Sequence, residues 1–147
     1  MPVYFYDVNE NPYGCFTNFS KHGFELDGDW WRTSEHYFQA QKFAGTPNYE
    51  VIRTLPTPRE VFNTAHTLNH LVRADWLQVR VAVMRKAVWR KFEFNPGIRS
   101  VLCATGNAEL VEDSPTDNFW GRGTDGQGQN MLGKILMDIR DQLNSTP

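Results

Sequence analysis

The stretch that most limits how this chain can fold runs from Trp76 to about Phe92. Trp76, Val79, Val83, Met84, Ala87 and Val88 recur at helical spacing, and Val81, Trp89 and Phe92 carry apolar surface further round the cylinder. A helix so broadly apolar is predicted to be a central core element around which other helices pack, with Arg80, Arg85, Lys86 and Arg90 on its polar side. Asp75 is the expected cap.

The other helix starts agree with that frame. Thr57-Pro58-Arg59-Glu60 combines proline at the first helical position with a capping box, and Val61, Phe62, Ala65 and Leu68 form the predicted buried stripe behind it. Thr46-Pro47 opens a short helix through Leu55. Asn95-Pro96 opens another, ended by Gly106. Thr33 or Ser34 caps the segment SEHYFQAQKFA, and Asn130 is the expected cap of an amphipathic helix carrying Leu132, Ile135, Leu136, Ile139 and Leu143. Strand signals are sparse. Val3 to Asp7 reads as one short strand, and Phe24 to Trp31 reads as a hairpin closed by Asp27-Gly28. The expected fold is mainly α, a compact multihelical single domain over residues 1–147 with a small N-terminal β-hairpin and short strands, its β content ending near Trp31.

With 147 residues and a net charge of −2, the chain has length for one core and no basic stripe to attract nucleic acid in bulk. Local recognition of a single base remains open to it. No apolar run reaches membrane-spanning length and the N-terminus lacks signal-peptide character, so the expected setting is cytoplasmic, with a nuclear one also compatible. Cys15 and Cys103 are far apart and are predicted to be ordinary buried thiols in a reducing compartment. His66 and His70 stand four apart, but no third ligand accompanies them. They are predicted to be structural, with no metal and no cofactor required.

Two regions carry chemistry. Glu35, Gln39 and Lys42 fall at i, i+4 and i+7, which places an acid, an amide and an amine on one helix face beside Phe38. The second is the glycine-rich run from Ser114 to Arg140. Gly121, Gly123, Gly126 and Gly128 relax the backbone for close approach, and the loop leads directly into a helix N-terminus able to favour phosphate. Asp117 and Asp125 would repel a bare anion there, so a ligand with both a phosphate and a hydroxyl-bearing sugar fits better. The G-x-G-x-x-G spelled by Gly121, Gly123 and Gly126 is not a dinucleotide fingerprint, because no buried strand precedes it.

The segments TSEHYFQAQKF, ADWLQVRVAVMRKAV and LCATGNAELVEDSPTDNFWGRGTDGQGQNMLGKILMDIR resemble the YbiA family, also called NADAR, over nearly the whole chain. The resemblance implies a multihelical fold and N-glycosidase activity on a bond between ribose and a base nitrogen. One branch of that family acts on phosphoribosylamino-pyrimidine intermediates of riboflavin synthesis, and another removes ADP-ribose from guanine in DNA or RNA. The marked residues that carry over are Glu35, Trp76, Asp117 and Trp120, with Lys42 closing its motif. Arg80 stands where many relatives are expected to have lysine.

Breaking a ribosyl C–N bond builds positive charge at the anomeric carbon, which a carboxylate stabilises. Glu35 and Asp117 are the candidates. Lys42 is either a phosphate ligand or, if desolvated, a nucleophile that forms a Schiff base with the opened ribose. Trp76 and Trp120 would stack on base or sugar, and Asn18, Gln39, Arg80, Gly121, Gly126, Gly128 and Asn130 complete the expected binding set. Glu35, Lys42, Asp117 and Trp120 are expected to enclose one sugar. The favoured reading is release of ADP-ribose from guanine, with the riboflavin intermediate as the alternative substrate and a non-catalytic ADP-ribose reader as the competing class. The partner is therefore ADP-ribose or a ribosyl phosphate, free or on locally recognised nucleic acid, with no membrane and no obligate protein partner.

Overall fold

The computed structural model describes residues 1–145; the last two residues of the expected domain lie outside the described residues. In chain order the elements are β1 (Val3–Phe5), β2 (Phe24–Leu26), β3 (Asp29–Trp31), α1 (Ser34–Gln41), α2 (Pro47–Arg53), α3 (Pro58–Thr67), α4 (Trp76–Phe94), α5 (Pro96–Ala104), β4 (Leu110–Glu112) and α6 (Met131–Ser145). The fold is mainly α. Its residues form two compact units, one comprising residues 1–20 and those from 95 onward, the other residues 21–94.

In the unit of residues 21–94, β2 and β3 pair antiparallel, with Leu26 opposite Asp29. Asp27 at φ 55° and Gly28 at φ 84° make the turn, the conformation that Asp-Gly favours between right-twisted strands. The hairpin contributes Phe24 and Trp31 to a core completed by Tyr37, Phe43, Ile52 and Val61. Thr57 Oγ1 accepts from Glu60 N and Pro58 sits in the first turn of α3, so the predicted start is found. One residue of that helix departs from its expected place. Phe62 is 36% exposed, its ring 4.1 Å from that of His66, while Val61 and Ala65 are buried and Leu68 packs partly buried against the core.

The buried stripe of α4 includes Met84, Ala87, Val88 and Phe92, and between the last two Lys91 is only 1% exposed. Asp75 uses its carboxylate on Arg73, at 2.6 and 2.9 Å, instead of on helix amides. Trp31 is fully buried, edge-on to Tyr37 and Tyr49, and its indole donates to Leu26 O over 2.9 Å. Trp31→Ala should therefore cost about 3–5 kcal/mol of unfolding free energy, read as a lower urea midpoint.

His36, absent from the expected site, is completely buried on α1. Its Nε2 lies 2.8 Å from Leu55 O, which can only accept, so Nε2 carries the proton and Nδ1 accepts from Thr33 Oγ1 at 2.7 Å. Burial holds its pKa below the ordinary histidine value, with the Leu55 carbonyl opposing that shift. Below about pH 6.5 the unfolded chain takes up this proton before the folded one does. Stability should thus fall as pH drops from 7.5 to 5.5, and His36→Gln should flatten that slope in denaturation curves.

In the other unit, β1 and β4 form a parallel pair, with Val3 opposite Leu110 and Phe5 opposite Glu112. This corrects the expectation that β structure ends near Trp31. Both strands are three residues long, and Phe5 and Leu110 are fully buried with Phe16, Leu102, Leu132 and Ile135. Buried Arg140 of α6 donates through Nη1 to Ala108 O at 2.6 Å and Thr105 Oγ1 at 3.1 Å, closing the turn after α5. Cys15 is buried, whereas Cys103 is half-buried, so only one thiol sits as predicted.

Candidate functional site

Five of the predicted site residues, Glu35, Gln39, Lys42, Trp76 and Arg80, belong to the unit of residues 21–94. Asn18, Asp117, Trp120, Gly121, Gly126, Gly128 and Asn130 belong to the other.

Helix α1 is buried along most of its length, Ser34 to Ala40, so its polar row is not a solvated face. Glu35 is 6% and Gln39 4% exposed, and Gln39 Nε2 donates to Glu35 Oε2 over 2.8 Å. Three residues beyond Gln39, at the end of the helix, Lys42 places Nζ 6.0 Å from the centre of the Phe38 ring and 5.7 Å from that of Trp76. The two rings meet edge-on at 5.0 Å. Trp76 is brought there by the backbone: Arg73 N donates to Lys42 O at 3.0 Å, tying the chain before α4 to the end of α1. Half-buried Arg80 follows one turn later on α4.

Burial is the larger influence on Lys42 and moves its pKa below the ordinary lysine value, while attraction from Glu35 pulls it back up. The result is an amine held over aromatic faces on the same helix face as a buried carboxylate. Such an amine is more available in its neutral form than one in water.

The glycine-rich loop is built from Asx and Ser turns. Ser114 Oγ accepts from Asp117 N at 3.0 Å, and Asp117 Oδ1 accepts from Phe119 N at 2.9 Å and Trp120 N at 2.8 Å. Asp117 thus fixes the position of half-buried Trp120, whose ring stands edge-on to Phe119 at 4.8 Å. Asn18 is half-buried in the segment after a short 3-10 helix at Tyr13–Phe16.

Other expectations for this loop need correction. Asn130 adopts φ 51° instead of an extended cap conformation. Its Nδ2 donates to Leu110 O and its Oδ1 accepts from Glu112 N, both at 2.9 Å, so the carboxamide pairs with β4 in the manner of a neighbouring strand. Both ends of the carboxamide are thus used within this unit. The amides of Asn130, Met131 and Leu132 donate to Gly121 O, Phe119 O and Trp120 O, each at 3.0 Å. These donors at the start of α6, expected to face phosphate, are already spent on the loop. Gly121 and Gly128 are explained by close packing: a Cβ on Gly121 would come within 2.9 Å of Glu112 O, and one on Gly128 within 2.6 Å of Gly121 O. Gly126, at φ 75° with open space around it, lines a cavity of about 680 Å³ with Tyr6, Asp113, Arg122 and Asp125.

The model of the NADAR domain matches residues 4–144, and the chain belongs to that family. An N-glycosidase of Nostoc punctiforme is 44% identical, covering 99% of this chain and 94% of that protein. N-glycosidase YbiA of Escherichia coli is 41% identical, over 96% of this chain and 88% of that protein. A riboflavin biosynthesis protein of Vibrio vulnificus is 41% identical over 97% of this chain, which spans 39% of that longer protein. The NMR structure of E. coli YbiA superposes with a TM-score of 0.90 at 40% identity, covering 98% of this chain and 85% of that one.

Proposed function

We propose that the protein is an N-glycosidase that cleaves the bond between ribose and a nucleobase nitrogen, with ADP-ribose on guanine as its substrate. What carries the N-glycosidase reading is the pairing of a nearly solvent-excluded carboxylate, Glu35 on α1, with a partly desolvated amine, Lys42 at its end, which lies over two aromatic rings. Burying charge is costly, and groups perturbed by burial together with a charged neighbour cluster at functional sites.

In the reaction, the C1′–N bond breaks and its electron pair stays on the base nitrogen, which takes up a proton. The Glu35 carboxylate offsets the positive charge that develops at C1′. Lys42 Nζ supplies the new bond to C1′, and water later releases the sugar. Trp76 offers a flat face for the base or sugar, and Arg80 a guanidinium for phosphate.

Relatives named for riboflavin biosynthesis favour a second substrate, a phosphoribosylamino-pyrimidine. The net charge of −2 is in keeping with a small molecule and offers no general attraction to a polyanion. The deciding experiment incubates the protein with a guanine-ADP-ribosylated oligonucleotide and, separately, with the pyrimidine intermediate. Release of free ADP-ribose supports the first reading and release of ribose phosphate the second. Cleavage of neither, with ADP-ribose still bound, would leave a non-catalytic reader.

A further inference from the structure

We propose that Gln39 is a positioning residue for Glu35, a role that rests on the N-glycosidase reading above. The unusual feature is the other end of its carboxamide. Gln39 Nε2 donates to Glu35 Oε2, but Gln39 Oε1 is buried and has no hydrogen-bond partner among the described residues. A buried amide carbonyl left bare is unfavourable, and most such groups find a donor.

A carboxamide can turn end for end, so something holds this one in its present orientation. An ionised carboxylate accepts hydrogen bonds and donates none. Turning the amide would set Oε1 against Glu35 Oε2, two acceptors in contact, and would strip Glu35 of this donor. The orientation present gives Glu35, as an acceptor, a donor from the same helix. In return, the amide ties one carboxylate oxygen to the next turn of the same helix, where a charge-assisted bond is directional. Gln39 also stands between Glu35 and Lys42 in the row along the helix.

A carboxylate that stabilises charge at C1′ must be held to within a fraction of an ångström, and misplacement by about 1 Å costs on the order of 100-fold in rate. Gln39→Met keeps the length of the side chain and removes its polar end. With whichever substrate the native protein cleaves, kcat should fall about 10- to 100-fold while KM stays within about 3-fold. In a Glu35→Gln background the same replacement should change the remaining kcat by less than about 2-fold, because the carboxylate it serves is gone. Gln39→Asn, polar but one methylene short, should show the same split between kcat and KM, and it covers the case in which Gln39→Met fails to fold.

An unchanged kcat, a rise in KM alone, or equal losses in both backgrounds would overturn the positioning role. If Glu35→Gln leaves too little turnover to compare, the split between kcat and KM decides. A native protein that cleaves neither substrate would defeat the N-glycosidase reading itself, whereas a native protein that turns over normally and is indifferent to Gln39→Met defeats only this proposal.

Discussion

Glu35→Gln is expected to lower kcat by about 10²- to 10³-fold and to leave ligand affinity almost unchanged. The size follows from the charge that is removed. A carboxylate about 5 Å from a developing cation, at an effective dielectric near 20, contributes about 3 kcal/mol, or two to three powers of ten in rate. The site of Glu35, 6% exposed and donated to by Gln39, keeps water from screening that interaction. Glutamine has the same shape, so α1 should still pack, and the urea midpoint should stay close to that of the native protein. Steady-state assays alongside ADP-ribose titration check both halves. Turnover within about 3-fold of native would show that the Glu35 charge is not what drives bond cleavage.

The row containing Glu35 could be read from sequence because its signal is local. Spacing of i, i+4 and i+7 holds whatever surrounds the helix, and Thr33 and Thr57 mark helix starts through bonds to amides three residues on. Asp27-Gly28 was equally legible, since two left-handed residues in succession leave the hairpin little alternative. The parallel pairing of β1 with β4 was not. Each strand has only three residues, too few to show alternation, and the partners are distant in the chain. Lys91 escaped for a related reason. A lysine inside an apolar stripe reads as polar surface until its burial is known.

In the glycine loop, residue types that suggest a ligand site also serve the backbone. Asn130 has the residue type of a helix cap, yet its left-handed backbone turns the carboxamide onto β4. Gly121, Gly128 and Gly133 lie where backbone meets backbone, which has the same sequence signature as a loop built for a ligand. Asp117 is an acid in a suggestive motif, and its Oδ1 accepts from two amides of its own turn. In each case the competing demand is the loop's need to satisfy its own N–H and C=O groups. The polar row on α1 faced no such demand, because a helix already pairs its backbone and leaves the side chains available.

Lys42 carries the second large effect. If Nζ attacks C1′, the base leaves, the ribose ring opens, and loss of a proton from nitrogen gives an imine. Borohydride added during turnover should then deliver hydride to that C=N bond and fix the sugar to Lys42 as a secondary amine. Mass spectrometry should find the adduct on the peptide containing Lys42, and activity should not return. Lys42→Met should lower kcat by at least about 10³-fold and abolish the adduct. Lys42→Arg separates this role from phosphate binding. A guanidinium keeps the positive charge and cannot deprotonate at working pH, so it can hold a phosphate but cannot attack carbon. The burial that moves the Lys42 pKa downward favours attack, since an amine serving only as a phosphate ligand gains nothing from losing charge. Lys42→Arg is therefore expected to be as inactive as Lys42→Met. A Lys42→Arg protein that retains more than about a tenth of native kcat, with a raised KM and no reducible adduct in the native protein, would assign Lys42 to the phosphate and leave water as the attacking group.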